Sequence, residues 1–124
     1  MIRLILLYAG SFLPLFWGIA HLFATAAVVR GFGALSEDNK RIITMEWIVE
    51  GVALIFIGAV VLAATIVGRS DPASRVVYGL SGFMLIGLAV ISLFTGSKIR
   101  SLPFKLCPFL FTASAVLILA ASLF

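Results

Sequence analysis

Four long apolar runs constrain this chain more than any other feature of its sequence. They cover residues 2–29, 42–67, 76–94 and 104–124. Each run is close to or longer than the ~20 residues that a helix needs to cross the hydrocarbon core of a bilayer. A chain in lipid must satisfy its backbone hydrogen bonds as helices or as a closed barrel, and the alternating segments of a barrel are missing. The sequence therefore predicts an all-α fold, an antiparallel bundle of four transmembrane helices.

The composition excludes a water-soluble domain. Of the 124 residues, 63% are hydrophobic and 11% are charged. A domain of this size leaves a large part of its surface exposed, so such an apolar surplus must face lipid. We therefore predict one integral membrane domain over residues 1–124, with membrane lipid as its surroundings and partner.

Capping residues and prolines mark the ends of the predicted helices. Ser36 is a typical N-cap for the second helix, and Glu37 and Asp38 follow it in the first turn. Pro72 and Pro103 stand where the third and fourth helices begin. The predicted helices cover residues 2–29, 37–67, 72–95 and 103–124. Because the connections are short, consecutive helices are expected to be antiparallel neighbours.

Basic residues are shared unequally between the two ends of the predicted bundle. The end with both termini carries Arg3, Arg69 and Arg75. The opposite end carries Arg30, Lys40, Arg41, Lys98, Arg100 and Lys105. Loops rich in lysine and arginine stay in the cytoplasm, so loops 30–41 and 95–105 are predicted to be cytoplasmic and both termini outside, in a bacterial inner membrane. Anionic headgroups account for the net charge of +4, and no nucleic-acid partner is predicted.

The single histidine and two glutamates lie inside apolar runs. His21 stands in the segment GIAHLFAT, and the glutamates stand in TMEWIVEG. Counted at 1.5 Å per residue, His21 lies roughly 13 Å from Arg30, and Glu50 lies roughly 13 Å from Arg41. Both arginines belong to the same predicted end of the bundle. We therefore expect His21 and Glu50 to meet at one level of two neighbouring helices.

Such ionisable side chains are expected to face the inside of the bundle, because a charge at the centre of a membrane helix costs about 2.5–3.5 kcal/mol. Intramembrane ionisable residues are also candidates for function. We interpret His21, Glu50 and Glu46 as candidate catalytic residues, with Glu50 as acid or base and His21 as its partner. The alternative is structural, in which a His21–Glu50 hydrogen bond and a Lys105–Glu46 ion pair join helices 1, 2 and 4.

Four further residues are candidates for ligand binding. Trp17 lies one turn before His21, and Trp47 lies between the two glutamates. Their rings are suited to hold a flat lipophile or to stabilise a cation. Lys105 is expected to act as a tuning charge, and Cys107 follows it in PFKLCP as a thiol close to a basic group. Ordinary membrane packing remains the alternative for the aromatic residues and for a small apolar cysteine.

The sequence predicts no metal site and identifies no cofactor. One cysteine excludes a disulfide within the chain and a Cys-x-x-Cys site. A histidine and a glutamate three residues apart on one helix, as in di-metal bundles, are missing.

Two patterns concern helix packing. Pro14 cannot donate to the carbonyl of Gly10, so it predicts a kink and leaves an acceptor for another group. Gly79, Gly82 and Gly87 on helix 3 indicate close packing, with a homodimer interface as one interpretation.

In size and helix count the chain resembles, over its whole length, the small four-helix bacterial membrane proteins grouped as DoxX-like. That resemblance implies quinone-linked redox chemistry or an accessory role. The placement of histidine, glutamates and tryptophans inside a helix bundle is also similar to that of emopamil-binding-type sterol isomerases, which move protons on a lipophile.

Three functions remain open at this point. The first is binding of a lipophilic small molecule, such as an isoprenoid, a quinone or a sterol-like compound, with acid/base chemistry on it. The second is a proton-coupled small transporter that acts as a dimer. The third is a non-catalytic accessory subunit of a membrane complex. Whether the protein is an enzyme is left open as well.

Overall fold

The computed structural model describes residues 1–96 and 98–123, and it confirms the predicted all-helical bundle. The helices are α1 (Ile2–Gly31), α2 (Glu37–Gly68), α3 (Pro72–Gly96) and α4 (Leu102–Ser122). All four are long and apolar enough to cross a membrane. The chain is therefore a multi-pass membrane protein with four spanning helices.

The helix ends lie within two residues of the predicted boundaries, and local chemistry explains most of them. The hydroxyl of Ser36 accepts a 3.2 Å hydrogen bond from the backbone N–H of Asn39, which confirms Ser36 as the N-cap of α2. Helix α1 continues to Gly31 and ends where Gly33 adopts a positive φ of 76°. Pro72 is the first residue of α3, as predicted.

The start of α4 differs slightly from the prediction. The helix begins at Leu102, so Pro103 occupies its second position rather than its first. Ser101 is the N-cap, with an extended backbone but no side-chain capping bond. The predicted C-terminal boundary at Phe124 lies outside the described residues.

The helices form a ring in which α1 packs against α2 and α4, and α3 packs against α4 and α2. The α1–α2 and α3–α4 hairpins are the most extensive contacts, whereas α2 and α3 touch least although they are consecutive. The backbones of diagonally opposite helices stay apart within the described segments, although the side chains of Trp47 in α2 and Phe104 in α4 meet across the bundle. The bundle thus consists of two tight hairpins, joined mainly through α1 and α4.

Glycines allow α1 and α2 to approach until their backbones touch. A Cβ atom added to Gly18 would lie 2.5 Å from the carbonyl oxygen of Gly51. A Cβ atom added to Gly58 would lie 2.5 Å from the carbonyl oxygen of Ser11. Small residues at such contacts are typical of membrane helices, where close packing replaces the hydrophobic effect. This approach fixes how the two helices face each other.

A proline and a serine join α1 to α4. Because Pro14 has no N–H, the carbonyl of Gly10 lacks its helical donor. The fully buried hydroxyl of Ser114 donates a 2.6 Å hydrogen bond to that carbonyl. The acceptor that the sequence predicted to be free therefore has a partner on another helix.

Helices α2 and α3 are linked close to the loop that connects them. The hydroxyl of Thr65 donates to the carbonyl of Val61 at 2.7 Å, so the buried hydroxyl of Tyr78 is the donor in its 3.2 Å bond with Thr65. Ser74 adds a 3.3 Å bond to the carbonyl of Ala64. These bonds hold α2 and α3 together at the end of the bundle that also contains Arg3.

The glycines of α3 have different surroundings. Gly82 is buried, and an added Cβ would lie 2.5 Å from the Leu119 side chain, so it serves the packing of α3 on α4. Added Cβ atoms on Gly79 and Gly87 would meet nothing within 4 Å. A homodimer interface on α3 stays a prediction. Gly82 could not contribute to such an interface, because it faces α4 and not the outside of the bundle.

Candidate functional site

His21 lies on the inner face of α1 and is only 4% exposed. Its Nδ1 atom lies 3.0 Å from the carbonyl oxygen of Trp17. Since a carbonyl only accepts, Nδ1 carries the hydrogen, and in the neutral ring Nε2 is then the acceptor. Nε2 is buried and has no hydrogen-bond partner among the described residues. One ring nitrogen is thus held by the helix, and the other is left open.

Glu50 approaches His21 from α2, as the counting of helical levels predicts. Its Oε1 atom lies 3.7 Å from Nε2 of His21, and its side chain is 38% exposed. That separation is longer than a hydrogen bond, which has a heavy-atom distance of about 2.7–3.2 Å. Gly51 makes the approach possible, because a Cβ there would already lie 3.1 Å from Cβ of His21. The imidazole and the carboxylate therefore face each other without forming a direct hydrogen bond.

Trp47 fixes His21 through both its backbone and its ring. The indole N–H donates a 2.9 Å hydrogen bond to the carbonyl of His21, which also accepts from the Thr25 hydroxyl at 2.8 Å. The Trp47 and His21 rings are stacked, with centroids 4.5 Å apart and an angle of 22° between their planes. The imidazole consequently has little freedom to turn away from Glu50.

Two more aromatic rings extend this stack. Trp17 meets His21 edge-on with centroids 5.9 Å apart, and Phe104 of α4 lies 5.3 Å from Trp47 in a tilted arrangement. The indole N–H of Trp17 is buried near the thiol of Cys107, but it makes no contact with the geometry of a hydrogen bond among the described residues. Trp17 therefore contributes its ring surface to the cluster.

A partly open cavity of about 320 Å³ lies beside the His21–Glu50 pair, and we call it the His21 cavity. All four helices contribute to its wall. Helices α1, α2 and α4 supply His21, Trp47, Glu50, Phe104 and Cys107. Helix α3 supplies Leu88, Ile91, Ser92, Thr95 and Gly96, and the α3–α4 connection supplies Ile99. A wall of this kind, mostly apolar with a few polar groups, is typical of sites for small molecules.

Larger depressions elsewhere on the molecule have a different character. One of about 670 Å³ lies between α3 and α4, and one of about 570 Å³ lies beside Phe32 and Pro103. Apolar and small side chains line both, as expected for helix surfaces in contact with acyl chains. The His21 cavity is smaller, but it contains the facing imidazole and carboxylate.

Two predicted site residues lie away from this cavity. Glu46 and Lys105 are both exposed, and they form no ion pair with each other. The Lys105–Glu46 ion pair of the structural alternative is therefore not formed. Lys105 follows Phe104 by one residue, about 100° around the helix, so it turns outward when Phe104 turns inward. Glu46 lies one turn before Glu50, about 6 Å nearer the N-terminal end of α2.

Cys107 lies on the cavity wall, but its thiol is not paired with Lys105. Its Sγ atom donates to the carbonyl of Pro103 at 3.4 Å, within its own helix. In the described part of the chain, histidine, cysteine and acidic residues do not gather in groups of three that would hold a metal ion.

Sequence reasoning missed the part of the wall that comes from α3 and Phe104. Leu88, Ser92 and Thr95 recur at steps of three and four residues, so they share one face of a helix. Polar hydroxyls on that face of an otherwise apolar helix were a usable signal. Nothing in the sequence indicates that Phe104 contacts Trp47, because that contact depends on how α4 is placed.

No family model, no curated protein and no solved structure matches this chain. The site must therefore be interpreted from its own geometry.

Proposed function

We propose that this membrane protein binds a lipophilic small molecule in the His21 cavity, with the polar end of the ligand against His21 and Glu50. One observation carries the proposal. A buried imidazole nitrogen without a partner faces a carboxylate 3.7 Å away, beside a cavity large enough for a small ring or head group.

Energetics favours a missing partner over a purely structural pair. Leaving a buried polar atom without a hydrogen bond costs about 1–3 kcal/mol. A pair that served only to join helices would gain by closing to hydrogen-bond distance, yet Trp47 and Gly51 hold the ring and the backbone in place while Nε2 stays open. A ligand that bonds to Nε2 and to Glu50 removes that cost.

The site has the groups needed to exchange a proton with such a ligand. Nε2 of His21 accepts a proton from a ligand that carries an ionisable one, and the carboxylate of Glu50 stabilises the resulting imidazolium. Trp47 and Phe104 form walls for a flat molecule such as an isoprenoid, a quinone or a sterol-like compound. Glu46 and Lys105 take no part in this arrangement.

Native mass spectrometry of the purified protein, combined with lipid analysis, tests the proposal. We expect a small lipophile to accompany the wild-type protein, to be lost from Glu50→Gln and to be kept by Glu46→Gln. The two variants make the same chemical change one helical turn apart. An empty wild-type protein, or equal retention by both variants, would instead favour a structural role for the pair.

We also propose that the end of the bundle near the His21 cavity faces the cytoplasm of a bacterial cell. It carries six lysine and arginine residues in or near its connections, against three at the other end. Single cysteines in place of Lys98 or Arg69, each in a Cys107→Ser background, test this in intact cells. A membrane-impermeant maleimide is expected to label only the cysteine at position 69, and the opposite pattern would reverse the orientation.

A further inference from the structure

The His21 cavity presents hydrogen-bond acceptors to a ligand. Nδ1 of His21 donates to the carbonyl of Trp17, so the neutral ring offers only the lone pair of Nε2. The carboxyl group of Glu50 lies 3.7 Å away, and in its carboxylate form it also only accepts. Two acceptors cannot bond to each other unless a proton lies between them.

Three of the side-chain donors around the cavity already have acceptors. The indole N–H of Trp47 donates to the carbonyl of His21 at 2.9 Å. The hydroxyl of Thr95 donates to the carbonyl of Ile91 at 2.7 Å, and the thiol of Cys107 donates to its own helix. Only the hydroxyl of Ser92 on this wall has no such bond to a carbonyl in the described structure. The site therefore has more acceptors than donors.

On the basis of the proposed function, we infer that the polar end of the ligand is a hydroxyl group, so that the ligand is a lipophilic alcohol or phenol. A hydroxyl donates one hydrogen bond, to Nε2 or to the carboxylate of Glu50, and its oxygen can still accept from a donor such as Ser92 on the same wall. A carbonyl or an ether at the same place meets two acceptors and gains no bond from them. An ammonium group also donates, but it carries a charge past the apolar wall formed by Leu88 and Ile91, at a cost that a neutral hydroxyl avoids.

The two tryptophans make this inference measurable by fluorescence. Trp47 lines the cavity, whereas Trp17 does not. A Trp17→Phe variant leaves Trp47 as the sole reporter and removes an indole N–H that makes no hydrogen bond of normal geometry. Bromine quenches indole fluorescence on contact, so a brominated ligand in the cavity reports its own binding.

The probes are 2-bromo-4-octylphenol and the analogue in which a methyl group replaces the hydroxyl. We expect saturable quenching by the phenol, and up to ~10-fold weaker binding of the methyl analogue, the change that the loss of a hydrogen bond of about 1.4 kcal/mol produces. The two probes match in size and in bromine position. A brominated phosphatidylcholine measures quenching from the lipid surface alone.

Two variants locate the effect at the acceptors. His21→Phe keeps a ring stacked on Trp47 but removes Nε2, so the preference for the phenol is expected to fall to what Glu50 alone supports. Glu50→Gln keeps the volume and replaces an acceptor-only group with an amide that also donates, so it is expected to reduce the preference as well. It serves as the second measurement if His21→Phe does not fold.

The outcomes separate this inference from the proposed function. If the wild-type protein bound both probes equally and both variants bound neither, the inference of a hydroxyl group would be overturned, whereas the binding site itself would stand. Quenching no greater than that from brominated lipid would also overturn it, while the co-purified ligand decides the proposed function independently. Tighter binding of the matching brominated probe, 2-bromo-4-octylbenzylammonium, would replace the hydroxyl by a cation.

Discussion

The hydroxyl of Ser114 in α4 donates a 2.6 Å hydrogen bond to the carbonyl of Gly10 in α1, the acceptor that Pro14 leaves without a helical donor. A residue that interrupts one helix thereby creates the attachment point for another. The bond is buried, and it joins the two hairpins of the bundle.

Ser114→Ala is expected to destabilise the bundle by roughly 0.5–2 kcal/mol, because it removes this bond and leaves a buried carbonyl unpaired. Unfolding in mixed micelles of mild and denaturing detergent measures the change. In a Pro14→Ala background the carbonyl of Gly10 regains a helical donor, so the same substitution is expected to cost less. An equal cost in both backgrounds would show that Ser114 acts only through packing.

Gly18→Ala is expected to cost roughly 1–3 kcal/mol, because the new methyl group would overlap the backbone of α2 at Gly51. Gly87→Ala is the matched control on α3, where an added Cβ meets nothing within 4 Å. That change is expected to be neutral or slightly stabilising, since alanine favours a helix over glycine. Thermal unfolding of both variants in one detergent gives the comparison, and equal losses would contradict the close α1–α2 contact.

Trp47→Phe is expected to lower stability by about 0.5–1.5 kcal/mol, because phenylalanine keeps a ring against His21 but cannot donate to its carbonyl. Trp17→Phe makes the same change where the indole N–H has no partner, so its cost is expected to be smaller. Detergent unfolding, followed through the fluorescence of the remaining tryptophan, distinguishes the two. A larger loss from Trp17→Phe would mean that ring packing outweighs the hydrogen bond.

Cys107 is expected to react with thiol reagents roughly 10-fold or more slowly than an exposed cysteine, because it is buried and its Sγ bonds to Pro103. It is the chain's only cysteine, so mass spectrometry after N-ethylmaleimide treatment reports on it alone. The reference is a cysteine at position 98 in a Cys107→Ser background. Comparable rates would show that water reaches the cavity freely.

The sequence was sufficient to predict the helices and the meeting of His21 with Glu50. Each apolar run matches the thickness of a bilayer, and counting residues from the basic ends sets the depth of each side chain. Helical periodicity then places His21 on one face with Gly10, Pro14 and Thr25, all of which are buried. Both arguments use distances within one helix, and such distances are fixed by local geometry.

What depends on the placement of one helix against another was not predictable. Glu46 shares a face with Glu50, yet it is exposed, because a position on a helical face does not say where the neighbouring helix ends its contact. The same reason applies to Lys105, because its sequence position does not say how α4 is rotated about its axis against the other helices. The roles assigned to the site residues stay predictions.

Helices α2 and α3 are joined more firmly at one end than at the other, and this difference bears on how a ligand would reach the cavity. The Thr65–Tyr78 hydrogen bond joins these helices at one end, while at the other end the two helices flank the His21 cavity. Separating α2 from α3 at that end disturbs the smallest interface of the bundle and leaves the α1–α2 and α3–α4 hairpins intact. A lipophilic ligand is thus expected to enter laterally from the bilayer, between α2 and α3, without first dissolving in the cytosol.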